Sequence, residues 1–201
     1  MFYRPGLDDH GLPHSPLKAI VAPRPIGWIS TLDAQGRANL APYSFFNAFS
    51  DAPPMVAYGS GAKKIGLDEG KDTVANVEAT GEFVVNIVSE ALIDAMNISS
   101  QHFPAGTDEF EAAKLEKGAC QTVAAPRVAA APASLECRLF KIIELPGGDK
   151  MVIGEVTGIH VSEDALVEGR FDVTRFKTLA RLGYRDYALI DQVFELQRPD
   201  H

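Results

Sequence analysis

The sequence predicts an α+β domain that is mainly β: short strands closing into a barrel or sandwich, with a few small helices at the periphery. Three observations carry this. Runs rich in β-branched and aromatic residues recur at 26–32, 55–59, 83–88, 134–144 and 151–161. Turn chemistry separates them, as at Asp33-Ala34-Gln35-Gly36 and Pro146-Gly147-Gly148-Asp149. Helical spacing appears only in short stretches. The strand period by itself leaves barrel and sandwich open.

Taken in order, residues 1–14 are polar and bear Gly and Pro, which reads as an arm, packed on a partner subunit or disordered. Residues 15–201 read as one domain. Residues 17–21 and 26–32 read as strands around Pro23-Arg24-Pro25, and the second of these opens a hairpin. Residues 39–47 do not fit an ordinary strand, because Pro42 removes a ladder donor and three aromatics follow among Ser and Asn. An irregular loop there would leave backbone N–H groups free to donate. Met55 to Gly59 is a strand after the turn Pro53-Pro54. Lys71 to Thr80 is a helix capped by Asp72 or Thr73 and ended by Gly81 in a left-handed position. Phe83 to Val88 is an apolar strand, Ala91 to Ser99 a second short helix, and Glu109 to Leu115 a third. Residues 134–144 alternate as a half-buried strand does, and 151–161 return antiparallel. Tyr187 to Leu196 closes the chain.

Composition narrows the function classes. The 201 residues suffice for one sizeable core, with 46% hydrophobic and 23% charged residues. A net charge of −8 argues against nonspecific nucleic-acid binding, and any phosphate must be held by local cations. No segment has the length and apolarity of a membrane span, and the N-terminus lacks the apolar run of a secretory signal. The two cysteines, Cys120 and Cys137, read as buried thiols. No His or Cys spacing spells a metal motif, so no metal is expected. A cytoplasmic location follows as an expectation.

The motifs R-P-I-G-W-I-S-T (from Arg24), N-L-A-P-Y-S-F-F-N (from Asn39) and D-A-P-P-M-V-A-Y-G (from Asp51) resemble the flavin reductase-like family. So do K-D-T-V-A-N-V (from Lys71), E-F-V-V-N-I-V (from Glu82), V-I-G-E-V (from Val152) and L-A-R-L-G-Y-R-D-Y (from Leu179). The resemblance spans roughly residues 15 to 195. It implies an FMN-binding split β-barrel, FMN rather than FAD, and a homodimer with the flavin near the subunit interface.

A flavin site needs cations or N–H donors for phosphate, polar partners for the ribityl chain, and an apolar wall with donors for the ring. The resemblance places Trp28, Ile29, Ser30 and Thr31 beside the ring, with Tyr43, Ser44, Phe45 and Phe46. Read alone, these aromatics could equally be core. Asn39 and Asn47 either touch the cofactor or cap turns. For phosphate the candidates are Arg24, Lys71 and Thr73, with Lys63 and Lys64 in reserve. A helix start favours anions, and Arg can hold phosphate through two nitrogens.

Family members often carry a His near the nicotinamide, just before the V-I-G-E-V strand. This chain has Gly148-Asp149-Lys150-Met151 there. Lys150, Arg181 and Tyr184 are the candidates for contact with a second substrate. Two main readings follow: an oxidoreductase moving electrons from NAD(P)H through FMN to free flavin, a partner oxygenase, a ferric complex or a small molecule; or an FMN-binding electron carrier serving a protein partner. A barrel that has lost flavin is the third. Hydrolysis by an activated nucleophile is disfavoured by the lack of GxSxG or a Cys–His motif.

Overall fold

The computed structural model describes residues 1–61 and 70–199. Its centre is a seven-stranded sheet, antiparallel throughout. In chain order the strands are β1 (Gly27–Leu32), β2 (Ala38–Tyr43), β3 (Phe46–Asp51), β4 (Pro54–Ser60), β5 (Glu82–Asn86), β6 (Ala133–Glu144) and β7 (Lys150–Val161). Across the sheet they run β2-β1-β5-β6-β7-β4-β3.

This order dictates the shape. β2 and β3 lie at opposite edges of the sheet, yet only Ser44 and Phe45 connect them. A flat sheet would hold its edges several strand widths apart, at about 4.8 Å per strand. The sheet therefore curls until its edges meet at the 44–45 link. No ladder joins β2 to β3, so the barrel is split.

Alternation along β1 sends its side chains to two layers. Ile29 faces the barrel interior with Tyr43, Val56, Tyr58, Phe83, Val85, Cys137 and Val152. Trp28 faces outward into a second core with Leu40, Val88, Leu92, Met96 and Phe110. Phe83 fills the space where a side chain on Gly154 would stand, since a Cβ there would come 2.4 Å from its ring.

The helices cover these layers. α2 (Asp72–Thr80) packs Val74 and Val77 into the barrel core and ends at Gly81, whose φ of 72° is left-handed. Its N-cap is Lys71, with Asp72 already inside the helix, so neither Asp72 nor Thr73 caps it. α3 (Ile93–Ser99) and α4 (Glu109–Ala112) cover the outer core, α3 preceded by a 3-10 turn at Glu90–Leu92. α4 stops at Ala112, short of Leu115, and Asp108 caps it by accepting from the Phe110 N–H.

A smaller sheet joins Arg24–Pro25 to β8 (Thr178–Arg181) and β9 (Tyr187–Ile190). Among the described residues beyond 190 there is no strand, so the closing strand is shorter than the apolar pattern suggests. The arm 1–14 contains no helix or strand, and its last residue, His14, packs on Tyr184.

Two further expectations fail. Residues 17–21 form one helical turn, α1 (Leu17–Ile20), not a strand. Pro16 opens it, its carbonyl accepting from Ala19 and Ile20, a place where a missing proline N–H costs nothing. Residues 39–43 do form a regular strand. Pro42 pairs opposite Trp28, but β2 is an edge, so the missing N–H breaks no second ladder. The irregular stretch shrinks to Ser44 and Phe45, and Gly59 N–H already donates to the Phe45 carbonyl at 2.7 Å.

Candidate functional site

Two clefts meet at the seam between β2 and β3. The first is polar and holds about 90 Å³. Its walls are Asn39, Ala41 and Tyr43 of β2, Lys71 and Thr73 at the start of α2, and the segment Ser99 to Phe103. The second is apolar and larger, about 420 Å³. It begins at the next residues of the chain, Ser44 to Asn47, and is closed by Lys18, Arg24, Phe49, Tyr58, Gly59, Leu145 and Met151.

The polar cleft rests on a buried hydrogen-bond network. The Glu109 carboxylate, 5% exposed, accepts from Asn39 Nδ2 at 3.0 Å on both oxygens and from the Leu40 N–H at 2.8 Å. Asn39 Oδ1 in turn accepts from Thr73 Oγ1 at 2.8 Å. One turn further along α2, Asn76 donates to Thr31 Oγ1 on β1 at 2.9 Å. These bonds lock α2 to the edge strand β2 and to its neighbour β1. Burial pushes the Glu109 carboxyl up to about 6, against the N–H donors that favour its charge. Burial likewise raises the Tyr43 phenol, with the hydroxyls of Thr73 and Ser60 acting in the opposite sense.

The candidate residues from the sequence divide among these settings. Asn39, Tyr43, Lys71 and Thr73 line the polar cleft. The side chains of Asn39 and Thr73 are committed to the network, so Thr73 presents the helix start and not a free hydroxyl. Arg24, Ser44, Phe45, Phe46 and Asn47 line the apolar cleft. Asn47 is exposed and its side chain accepts from the Ala48 N–H, a local turn contact.

Trp28, Ile29, Ser30 and Thr31 are fully buried, and none lines either cleft. Trp28 acts on the site from below: its indole N–H donates to Ser99 Oγ at 2.8 Å, at the foot of the cleft-lining segment. Ser30 donates to the Pro126 carbonyl. Lys150 pairs with Glu78 at 2.5 Å in a separate groove that it shares with Lys71. Arg181 bonds the Tyr187 hydroxyl and the Tyr184 carbonyl, and stacks over Tyr187. Tyr184 is exposed, with φ 54°. Lys63 and Lys64 lie outside the described residues.

Sequence reasoning missed Glu109, Ser99 to Phe103, Lys18, Phe49 and Met151. The Asp108 cap marked a helix start beside Glu109. Nothing local shows that Glu109 reaches a strand 70 residues away.

Another cluster touches neither cleft. Cys120, Glu136 and His160 bring ligand-type atoms within 4.8 Å of one another. No short spacing spells such a set. Burial would raise Glu136, but donors from Thr122, Gln121 and His160 outweigh it and hold the carboxyl down to about 2. Both its oxygens are engaged by these bonds. Both thiols are free. Cys137 is buried as expected, whereas Cys120 is partly exposed, its thiol pushed up to about 11 by burial and by Glu136.

The donor set fits a ligand with an anionic, hydroxylated end and a flat apolar body. A helix start with Lys71 supplies the anion end, since first-turn N–H groups lack partners within the helix. Ser100 and Gln101 supply polar partners, and Phe45, Phe46 and Met151 an apolar wall.

Comparison with known proteins agrees with this chemistry. The chain belongs to the flavin reductase-like family: the model of the flavin reductase like domain matches residues 21–180. An uncharacterized protein of Deinococcus radiodurans is 38% identical over 190 residues, covering 90% of this chain and 82% of that one. Nitrilotriacetate monooxygenase component B from Bacillus cereus superposes with TM-score 0.89 at 30% identity, covering 98% of each chain. The 2-nitrobenzoate 2-nitroreductase of Pseudomonas fluorescens superposes with TM-score 0.81 at 31% identity, covering 91% of this chain and 88% of that one. The split-barrel fold of these proteins is the fold described above. Among the described residues, no helix is long and apolar enough to cross a membrane.

Proposed function

We propose that this chain is an FMN-dependent oxidoreductase that takes reducing equivalents from NADH or NADPH and passes them to an acceptor. The supporting observation is the meeting, at one seam, of a polar cleft built on a helix start and an apolar cleft walled by aromatics. Lys71 and the first turn of α2 would hold the phosphate. Tyr43 and the segment 99–103 would meet the ribityl chain, and Ser44 to Phe46 the ring. Bound FMN supplies the hydride and electron-transfer chemistry; the protein orients it and excludes water. Likeness to a monooxygenase component supports a partner oxygenase as acceptor, and likeness to a nitroreductase supports a small molecule. In this reading the chain works as a cytoplasmic homodimer, the second subunit covering the exposed Phe45 and Phe49.

The electron-carrier reading is kept because Gly148 to Met151 offers no His and Lys150 is tied to Glu78. The test is anaerobic titration of the yellow, FMN-loaded protein with NADH and then NADPH. Bleaching of the flavin band by either supports the reductase. A loaded protein reduced only by a ferredoxin-like donor establishes the carrier. A protein that takes up no FMN overturns both.

A further inference from the structure

Away from both clefts, where the start of β6 pairs with the end of β7, three side chains of metal-ligating type converge. Glu136 on β6 stands opposite Gly158 on β7, and Ser134 stands opposite His160. Glu136 and His160 are therefore diagonal neighbours on one face of the pair, within reach of long side chains. Gly158 leaves room for the carboxylate, since a Cβ there would lie 3.2 Å from Glu136 Cδ. Glu136 also holds the segment that carries Cys120 over this face. It accepts from the Gln121 N–H at 2.8 Å, from the Thr122 N–H at 2.5 Å and from Thr122 Oγ1 at 2.6 Å. The Cys120 thiol, a Glu136 oxygen and a His160 ring nitrogen thus lie within 4.8 Å of one another. Among the described residues, no other three such groups come that close.

Glu136 is 1% exposed, yet its donors keep it ionised, so it can only accept. His160 Nε2 donates to Glu136 Oε1 at 2.5 Å, and the Cys120 thiol is hydrogen-bonded to the same carboxylate. Two protons therefore point at one buried charge, and a cation can stand where they stand. A carboxylate, a thiolate and a neutral imidazole together balance a divalent ion. The Arg127 charge favours the thiolate. A donor set of one sulfur, one nitrogen and one oxygen selects zinc over magnesium or calcium, which take oxygen alone. Access is open, because the His160 side chain is 22% exposed and Cys120 is partly exposed.

We infer that Cys120, Glu136 and His160 form a binding site for one zinc ion, with the fourth position open to solvent. Zinc bonds of about 2.0–2.3 Å set tetrahedral ligand atoms roughly 3.3–3.6 Å apart. The Glu136–His160 contact then opens by about 1 Å as the proton between them is displaced. The thiol proton leaves to solvent, and His160 carries its proton on Nδ1. Thr122 and Gln121 keep the carboxylate aimed, as the outer partners of metal ligands do. The ion would fasten the segment at Cys120 to β6 and β7 through one centre.

The test is equilibrium dialysis of the full chain against zinc, followed by the visible spectrum of the chain loaded with cobalt(II). One zinc per chain is expected, and a thiolate-to-cobalt charge-transfer band. Cys120→Ser and His160→Gln should each weaken zinc binding by about 100-fold, and Cys120→Ser should also abolish the band. Thr122→Val, which touches no metal, should weaken binding by about tenfold. Cys120 and His160 line neither cleft, so both variants should take up FMN as the unaltered chain does. No saturable zinc binding, a cobalt complex without the thiolate band, or a zinc affinity untouched by Cys120→Ser and His160→Gln overturns the inference. A chain that binds zinc in this way but takes up no FMN upholds the site and removes the flavoprotein reading instead.

Discussion

The two clefts solve opposite problems. In the polar cleft every buried group is answered: Glu109 holds Asn39, Asn39 holds Thr73, and α2 cannot shift without breaking several bonds. In the apolar cleft, among the described residues, no ion pair engages Lys18 or Arg24, and Arg24 keeps an unpartnered nitrogen. Closed networks give position; open charge gives affinity for something absent from the chain. In the reading proposed above, the phosphate end of the cofactor takes the first arrangement and its ring the second.

Substitutions should separate the two. The largest effect is expected for Glu109→Ala, which leaves the Asn39 amide and the Leu40 N–H buried and unpaired. A loss of about 3 kcal/mol should lower the melting temperature by roughly 6–12 °C in calorimetry. A shift below 2 °C would show that the polar network is not what holds α2. Next comes Trp28→Phe, which removes the indole bond to Ser99 and should cost about 1–2 kcal/mol in urea unfolding. FMN affinity should fall with it, because Ser99 anchors the cleft-lining segment.

The pH dependence of stability gives a smaller, signed effect. Glu109 titrates near 6 in the folded protein and lower when unfolded. Its contribution is therefore fully present below the unfolded value and is lost as pH rises through about 6. Between pH 4 and pH 8 the Glu109→Gln protein should lose less stability than the unaltered one, by about 1–2 kcal/mol. Parallel pH profiles would contradict a carboxyl raised by burial. The smallest effect is expected for Lys18→Gln, whose stability should stay within about 0.5 kcal/mol of the unaltered protein. A larger loss would mean that Lys18 is structural and that the contrast between the clefts fails.

Local chemistry made much of the fold legible. Asp33 to Gly36 announced the first hairpin, Gly81 the end of α2, and Pro146 to Asp149 the turn between β6 and β7. What failed depended on position in the sheet. Pro42 argues against a strand only if that strand is central, and edge status is a property of the finished topology. Leu17 to Ile20 lost its strand to a proline that starts a helical turn. Of the site candidates carried by contiguous motifs, Tyr43, Ser44, Phe45 and Lys71 line clefts. Trp28 to Thr31 sit in equally distinctive motifs yet face two cores, since a motif does not say which layer a side chain enters. Glu109 acts through partners remote in sequence, which leaves no local signature.

The Ser44–Phe45 link joins two edges that share no ladder, so the barrel is a rolled sheet fastened at a single covalent stitch. Whatever occupies the adjoining clefts would touch both edges at once and act as a clasp. Amide hydrogens along β2 and β3 should then exchange with solvent together, and slow together when the clasp is in place. The rest of the barrel, laced strand to strand, should hardly register the difference.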